Sequence, residues 1–367
     1  MIAMLLSEII IQRIREEGPI SFHDFMEMAL YYPKKGYYAS GQDKIGKTGD
    51  FYTSSNLTPA FGWVIGRQLE EMWEILGRKN FTVVEYGAGT GDLCHDILDY
   101  HKNNKALYDR LNYCIIEKSP PMREKQKAHL CEKVSWHDRI QDIPEFSGCI
   151  LSNELLDNFS VHQVVMEDEL MEVFVDYKNG FVELLQPAKK ALTDYLAELN
   201  VVLPKGFRTE INLEATEWIK EITASLREGY VITIDYGYPS SELYSERRRC
   251  GTLLCYHKHT INDNAYVAIG EQDITSHVNF SALCHWGFKN GLICCGLTNQ
   301  AGFLLALGFK DYLREILSQE TRQDLISIVK KESFLTHTLL VEMGHKYKVL
   351  IQRKGIAKRD LLGLKYW

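Results

Sequence analysis

Between residues 83 and 92 the chain reads Val-Val-Glu-Tyr-Gly-Ala-Gly-Thr-Gly-Asp. A short apolar, β-branched run ends at Glu85, and Gly87, Gly89 and Gly91 follow at alternate positions. Glycines there suit a tight strand-to-helix turn and let the backbone approach a ligand, since no Cβ intervenes. Two ligand classes compete for such a turn. A dinucleotide asks for Gly-x-Gly-x-x-Gly, with its pyrophosphate on the helix N-terminus. Counted from Gly87, the final position is Asp92, whose carboxylate would repel a pyrophosphate. S-adenosylmethionine (SAM) has no phosphate. It carries a sulfonium and an ammonium, a positive end that Glu85 could face favourably. A tight turn with no ligand is the plainer alternative.

Further acids stand where strands are expected to end. Tyr113–Ile116 runs into Glu117. An acid about 20 residues beyond the glycines, at the tip of the next strand, can accept hydrogen bonds from both ribose hydroxyls. SAM and NAD share that ribose, so Glu117 does not separate them. The next strand leads into Ser152-Asn153-Glu154-Leu155-Leu156-Asp157. Ligands of open α/β sheets sit at the carboxyl ends of the strands, so Asn153, Glu154 and Asp157 are candidates for the cofactor amine or for the substrate. Equally, Asn153 could cap a helix whose dipole Glu154 and Asp157 favour. Asp235 ends a further strand on the same rim, and Tyr236 and Tyr238 could wall a pocket or pack beside the turn. His257, His259 and His277 could take a proton near neutral pH, but their spacing does not demand it. Gln272 and Asp273 suit a polar network under the pocket.

The elements that must position these residues follow from periodicity. Residues 4–16 carry Leu5, Leu6, Ile9, Ile10 and Ile14 at helical spacing, stopped by Gly18 and Pro19. Ser21 and Asp24 are close to a capping box for a helix reaching Leu30. Residues 31–55 read as an ordered loop and Pro59–Leu76 as a helix. Strand candidates are 81–86, 111–116, 149–152 and 230–235, with helices over 92–100 and 120–132. Strands alternating with helices predict an α/β fold: a mostly parallel, Rossmann-like sheet with helices on both faces. Residues 161–185 alternate as β-strands and 187–226 read as helical, an insertion into that core.

Composition narrows the function classes. With 45% hydrophobic and 25% charged residues the chain has ample core material. A net charge of −7 argues against a nucleic-acid binder built on phosphate contacts. The basic run Arg247-Arg248-Arg249 reads as a solvated loop. Nine cysteines with no CxxC pair support neither a metal site nor a disulfide framework. They read as reduced core residues of a cytoplasmic protein. No apolar run reaches the roughly 18 residues a membrane span needs. The start of the chain lacks the features of a signal or transit peptide.

Taken together, these segments resemble the MidA-type SAM-dependent methyltransferases, whose mitochondrial members assist respiratory complex I assembly by methylating an arginine. The resemblance is carried by residues 29–38, by Gly49-Asp50-Phe51-Tyr52-Thr53-Ser54 and Phe61-Gly62, and by 85–91, 117–120 and 153–157. It continues through 235–237, 251–256, 272–280 and Glu342-Met343-Gly344. The family commonly continues its Asn-Glu segment as Asp-Ala-Leu-Pro, where this chain has Asp157-Asn158-Phe159-Ser160, so its turn into the insertion differs. The resemblance implies a class I methyltransferase core (81–160 and 227–353), a helical and loop-rich cover (1–80), a substrate-facing insertion (161–226) and a C-terminal tail (354–367). It implies SAM as cofactor, S-adenosylhomocysteine as product and a protein substrate akin to a respiratory-complex subunit. The absence of a leader points to a bacterial, cytoplasmic member, and the aromatic content of 36–52 leaves room for a homodimer. For an arginine acceptor a carboxylate must orient the guanidinium. Glu154 is the first choice and Asp157 or Asp235 the second, with Asp50 and Thr53 joining the wall. Glu85, Gly87, Gly89, Gly91, Glu117 and Asn153 would hold the cofactor. The alternatives are a small-molecule methyltransferase, a SAM-binding assembly factor with little catalysis, and a nucleotide-dependent oxidoreductase, the last disfavoured by Asp92.

Overall fold

Val83 and Val84 are fully buried in the strand Phe81–Tyr86, as a parallel strand covered on both faces requires. The computed structural model describes residues 4–40, 54–130, 133–258, 260–318 and 325–366. Asp50, Thr53 and His259 lie outside them. The chain divides into two compact units: 1–51 with 156–218 and 237–285, and 52–155 with 219–236 and 286–367.

The second unit is the α/β core. In chain order its elements are α1 (Pro59–Ile75), β1 (Phe81–Tyr86), α2 (Asp92–His101), β2 (Leu111–Ile116), α3 (Pro120–His129), β3 (Val134–His137), β4 (Phe146–Asn153), β5 (Leu226–Tyr238), β6 (Ile293–Asn299) and β7 (Tyr347–Lys354). Thr58 opens α1 by accepting from Ala60 N, with Pro59 in the first turn where its missing N–H costs nothing. The apolar face of α1 expected from spacing (Phe61, Val64, Ile65, Leu69, Trp73) is buried in the core.

The strands are ordered β6-β7-β5-β4-β1-β2-β3. β7 runs antiparallel to both neighbours and the other pairs are parallel. Register aligns the strand ends: Tyr86 pairs with Ile116 and with Ser152, and Ile234 pairs with Asn153. The glycine turn, Glu117, Asn153, Glu154 and Asp235 therefore emerge along one rim. Because β7 is antiparallel, it brings its first residue there, Tyr347 opposite Tyr236.

The first unit has its own core. The helix Leu6–Glu17 ends at Gly18, and Ser21 caps Phe22–Tyr31 by accepting from Asp24 N, both as expected. Strands Ile20–Ser21, His162–Met166, Leu170–Tyr177, Phe181–Pro187 and Arg208–Ile211 form an antiparallel sheet, and Leu254–His257 joins Thr260–Asn262 and Asp273–Thr275 in a smaller one.

This division differs from the one read from sequence. Residues 1–51 and 237–285 group with the insertion. Ile20 pairs with Val175, and Cys255 and Ile274 pack in one apolar cluster with Phe25, Leu30 and Val173. The stretch 187–226 is not continuous helix, because the strand Arg208–Ile211 interrupts it after Pro204 and Gly206. The C-terminal segment packs on the second unit: Leu361 and Leu364 are buried there, with Gly363 N donating to Gln68 Oε1 at 3.0 Å. No helix follows Asn153, so the capping alternative falls. Glu154 has a left-handed φ of 52°, and a short 3₁₀ turn covers Leu156–Asn158.

Candidate functional site

The strand β1 delivers a glycine turn whose Gly87, Gly89 and Gly91 have φ of 61°, 54° and 89°. Gly91 is the N-cap of α2. A Cβ there would lie 3.1 Å from Leu130 Cδ1 and 3.4 Å from Gln126 Cγ, tight contacts in addition to a φ that favours glycine. Asp92 opens the helix and is locked in place: Thr90 Oγ1 donates to its Oδ2 at 2.8 Å and Asn56 Nδ2 at 2.6 Å. The helix N-terminus that a pyrophosphate would need is thus already faced by a carboxylate.

Glu85 is 2% exposed, and its Oε2 accepts from Tyr113 OH at 2.7 Å. Burial pushes its pKa up to about 7, partly opposed by the Tyr113 hydrogen bond. Glu117 is also pushed up by burial, and hydrogen bonds to its charged form hold it back. Ser119 N donates to its Oε1 at 2.8 Å and Gln126 Nε2 to its Oε2 at 3.1 Å.

At the end of β4, Asn153 Nδ2 donates to Glu154 Oε1 at 3.4 Å, while the buried Asn153 Oδ1 has no hydrogen-bond partner. A buried acceptor without a donor is costly. The ammonium of an adenosyl-amino-acid cofactor would supply one, so the residues fit SAM. Glu154 gathers donors from elements far apart in sequence: Ser54 N to Oε1 at 3.2 Å and Tyr347 OH to Oε2 at 3.0 Å. Tyr236 packs edge-on against Tyr347, with ring centroids 5.4 Å apart.

Asp235 sits on the rim as expected, but its carboxylate serves the backbone. Oδ2 accepts from Leu155 N at 3.2 Å and Oδ1 from Tyr236 N at 2.9 Å. Buried to 1% exposure, it fixes the turn that carries Glu154. Asp157 belongs to the first unit, buried in the 3₁₀ turn, where its carbonyl accepts from Ser276 N at 3.0 Å.

Other described candidates have partners of their own. His257 Nδ1 lies 2.9 Å from the Glu271 carbonyl, and the His277 ring packs against Tyr238. Asp273 accepts from Tyr38 OH at 2.9 Å, and Gln272 Nε2 donates to the Asn264 carbonyl at 2.9 Å, the polar network expected. The arginine run is not simply solvated: the Arg248 guanidinium lies 3.5 Å over the Tyr238 ring. Sequence reasoning missed Ser54, Gln126 and Tyr347. Among the described residues no helix is long and apolar enough to cross a membrane.

An open, mostly parallel α/β sheet with a glycine turn whose helix N-terminus is already faced by Asp92 is the architecture of a SAM-dependent methyltransferase. The chain belongs to the family described as "Putative S-adenosyl-L-methionine-dependent methyltransferase", which matches residues 64–298. It is similar to the Drosophila melanogaster mitochondrial protein arginine methyltransferase NDUFAF7 homolog, 25% identical over 387 residues that cover 95% of this chain and 85% of that one. It is also similar to the Bos taurus mitochondrial protein arginine methyltransferase NDUFAF7, 26% identical over 352 residues, 84% of this chain and 75% of that one. A Burkholderia thailandensis protein solved with S-adenosylhomocysteine bound has a TM-score of 0.87 and 31% identity, over 98% of this chain and 94% of that one. The MidA-type resemblance, the fold class and the cofactor are borne out.

Proposed function

We propose that the protein methylates a guanidinium nitrogen of an arginine in a protein partner, with Glu154 orienting the acceptor. The observation that carries this reading is a carboxylate at the strand-end rim of a methyltransferase sheet, held by two donors on remote elements, Ser54 N and Tyr347 OH. The arginine methyltransferase activity of the fruit-fly and bovine relatives supports the same acceptor class.

In this reading Glu117 accepts from the ribose hydroxyls. Asn153 Oδ1 accepts from the cofactor ammonium, Glu85 supplies negative potential beneath the positive end, and the glycine turn makes room for the methionine part. SAM supplies an electrophilic methyl on a sulfonium and leaves as a neutral thioether. Glu154 pairs with the guanidinium and aims one nitrogen lone pair at the methyl carbon, so the enzyme's contribution is alignment. The proton released by the methylated nitrogen passes to Glu154 and on to water.

The test is Glu154→Gln. It is expected to bind S-adenosylhomocysteine within a few-fold of wild type. Transfer of tritiated methyl from SAM to the protein fraction of a cell lysate, read as methylarginine after acid hydrolysis, should fall at least about a hundredfold. A wild-type rate would remove Glu154 from the mechanism, and label in residues other than arginine would refute the acceptor class.

A further inference from the structure

The helix α3 carries six polar or charged residues among its ten, and the one residue it buries fully is Gln126. A primary amide is expensive to bury unless every polar atom finds a partner, and here each does. Trp136 Nε1 donates to Gln126 Oε1 at 2.9 Å. Gln126 Nε2 donates to the Gly89 carbonyl at 2.8 Å and to Glu117 Oε2 at 3.1 Å.

The chemistry of the partners fixes which way the amide points. An indole N–H only donates, so the amide oxygen must face Trp136; a backbone carbonyl only accepts, so the amide nitrogen must face Gly89. Glu117 is left facing an N–H. Its carboxylate has about four lone-pair sites. Ser119 N takes one on Oε1 and Gln126 takes one on Oε2. The Lys118 backbone N–H also donates to the carboxylate, and the lone-pair capacity left over is what a ribose hydroxyl would take.

We infer that Gln126 is a positioning residue for the cofactor: oriented by Trp136, it holds Glu117 so that the carboxylate accepts from a ribose hydroxyl. The inference rests on the reading of Glu117 as the ribose acid. The same amide ties Glu117 to the glycine turn through Gly89, so the nucleoside end and the methionine end share one register.

The test compares calorimetric affinities for S-adenosylhomocysteine and its 2′-deoxy analogue, which keeps every group except one ribose hydroxyl. The proteins are wild type, Gln126→Leu, Trp136→Phe, Glu117→Gln and the Gln126→Leu/Glu117→Gln pair. Gln126→Leu is expected to weaken S-adenosylhomocysteine about tenfold or more, the worth of a hydrogen bond to a charged group, and the analogue much less. Trp136→Phe should do the same more weakly, which keeps the test open if the leucine variant does not fold. In the Glu117→Gln background the Gln126 effect should shrink to within about twofold, the mark of a coupled pair. Equal losses for both ligands, or a loss that persists without Glu117, would overturn the inference and make Gln126 a support of the turn only. An unchanged affinity in Glu117→Gln alone would instead overturn the ribose reading.

Discussion

Glu85 offers the most direct test of how this site recognises charge. The carboxylate is buried, has Tyr113 OH as a hydrogen-bond donor, and its pKa is pushed up to about 7. Without ligand it is therefore about half protonated at neutral pH. If it faces the positive end of SAM, the bound state needs the charged form, because an opposite charge nearby favours ionisation. Binding must then release the proton, and affinity should rise with pH until Glu85 is ionised in the free protein as well. With a free-state value of about 7, affinity at pH 6 should be roughly tenfold weaker than at pH 8, about 1.4 kcal/mol. Calorimetry at pH 7 in buffers of different ionisation enthalpy should show about half a proton released per SAM bound. Glu85→Gln preserves the shape and can still accept from Tyr113, and it should flatten this profile and hold affinity near the low-pH value. Glu117, which is also pushed up by burial, is intact in that variant and isolates the contribution of Glu85. A wild-type affinity flat from pH 6 to 8 with no proton release would refute the assignment and leave Glu85 as a neutral packing group bonded to Tyr113.

Two stability predictions accompany it. His101, at the end of α2, is fully buried with neither ring nitrogen hydrogen-bonded, and burial pushes its pKa down to about 4. The unfolded chain binds a proton that the folded chain refuses, so stability is present above about 6.5 and is lost as pH falls toward 4, about 2 kcal/mol by pH 5. Urea denaturation should show His101→Leu losing that acid dependence, and an unchanged pH slope would count against it. Glu85 has the opposite sign, its raised value giving stability below about 4.5 that is lost as pH rises through 7. Over the shared window the two offset each other, so the single variants rather than wild type expose each contribution. Gly91→Ala should destabilise by about 1–2 kcal/mol, since alanine is strained at φ 89° and its Cβ meets Leu130. It should also weaken S-adenosylhomocysteine binding, and a stable variant with native affinity would show that the turn relaxes freely.

The cofactor half of the site was legible in sequence because a parallel sheet writes itself plainly. Strands buried on both faces are continuous apolar runs, glycine and proline punctuate them, and their ends align on one rim. That logic placed Glu85, Gly87, Glu117, Asn153 and Asp235 together, as β1, β2, β4 and β5 do. It missed Gln126 because a polar residue on a polar helix reads as solvent-facing, and only the approach of Trp136 and Gly89 buries it. It missed Tyr347 because an aromatic beside an apolar strand reads as core. Only an antiparallel last pairing returns that residue to the rim beside Glu154, 193 positions away in the chain.

The clearest divergence is the stretch from Glu154 to Asp157. One reading has Asn153 capping a helix whose dipole Glu154 and Asp157 favour, but the left-handed φ of Glu154 turns the chain out of that geometry at its first residue. A non-glycine residue held there costs of order 1 kcal/mol or more and persists only when its surroundings over-determine it. They do: Glu154 N donates to the Ile234 carbonyl at 2.9 Å, Leu155 N to Asp235 Oδ2 at 3.2 Å, and the side chain receives Ser54 N and Tyr347 OH. Asp235, near the end of β5 and a second candidate for chemistry on sequence grounds, thus supplies part of the restraint on the first. One carboxylate sets the backbone that holds its neighbour, a relation between Asp235 and Glu154 that no spacing rule contains.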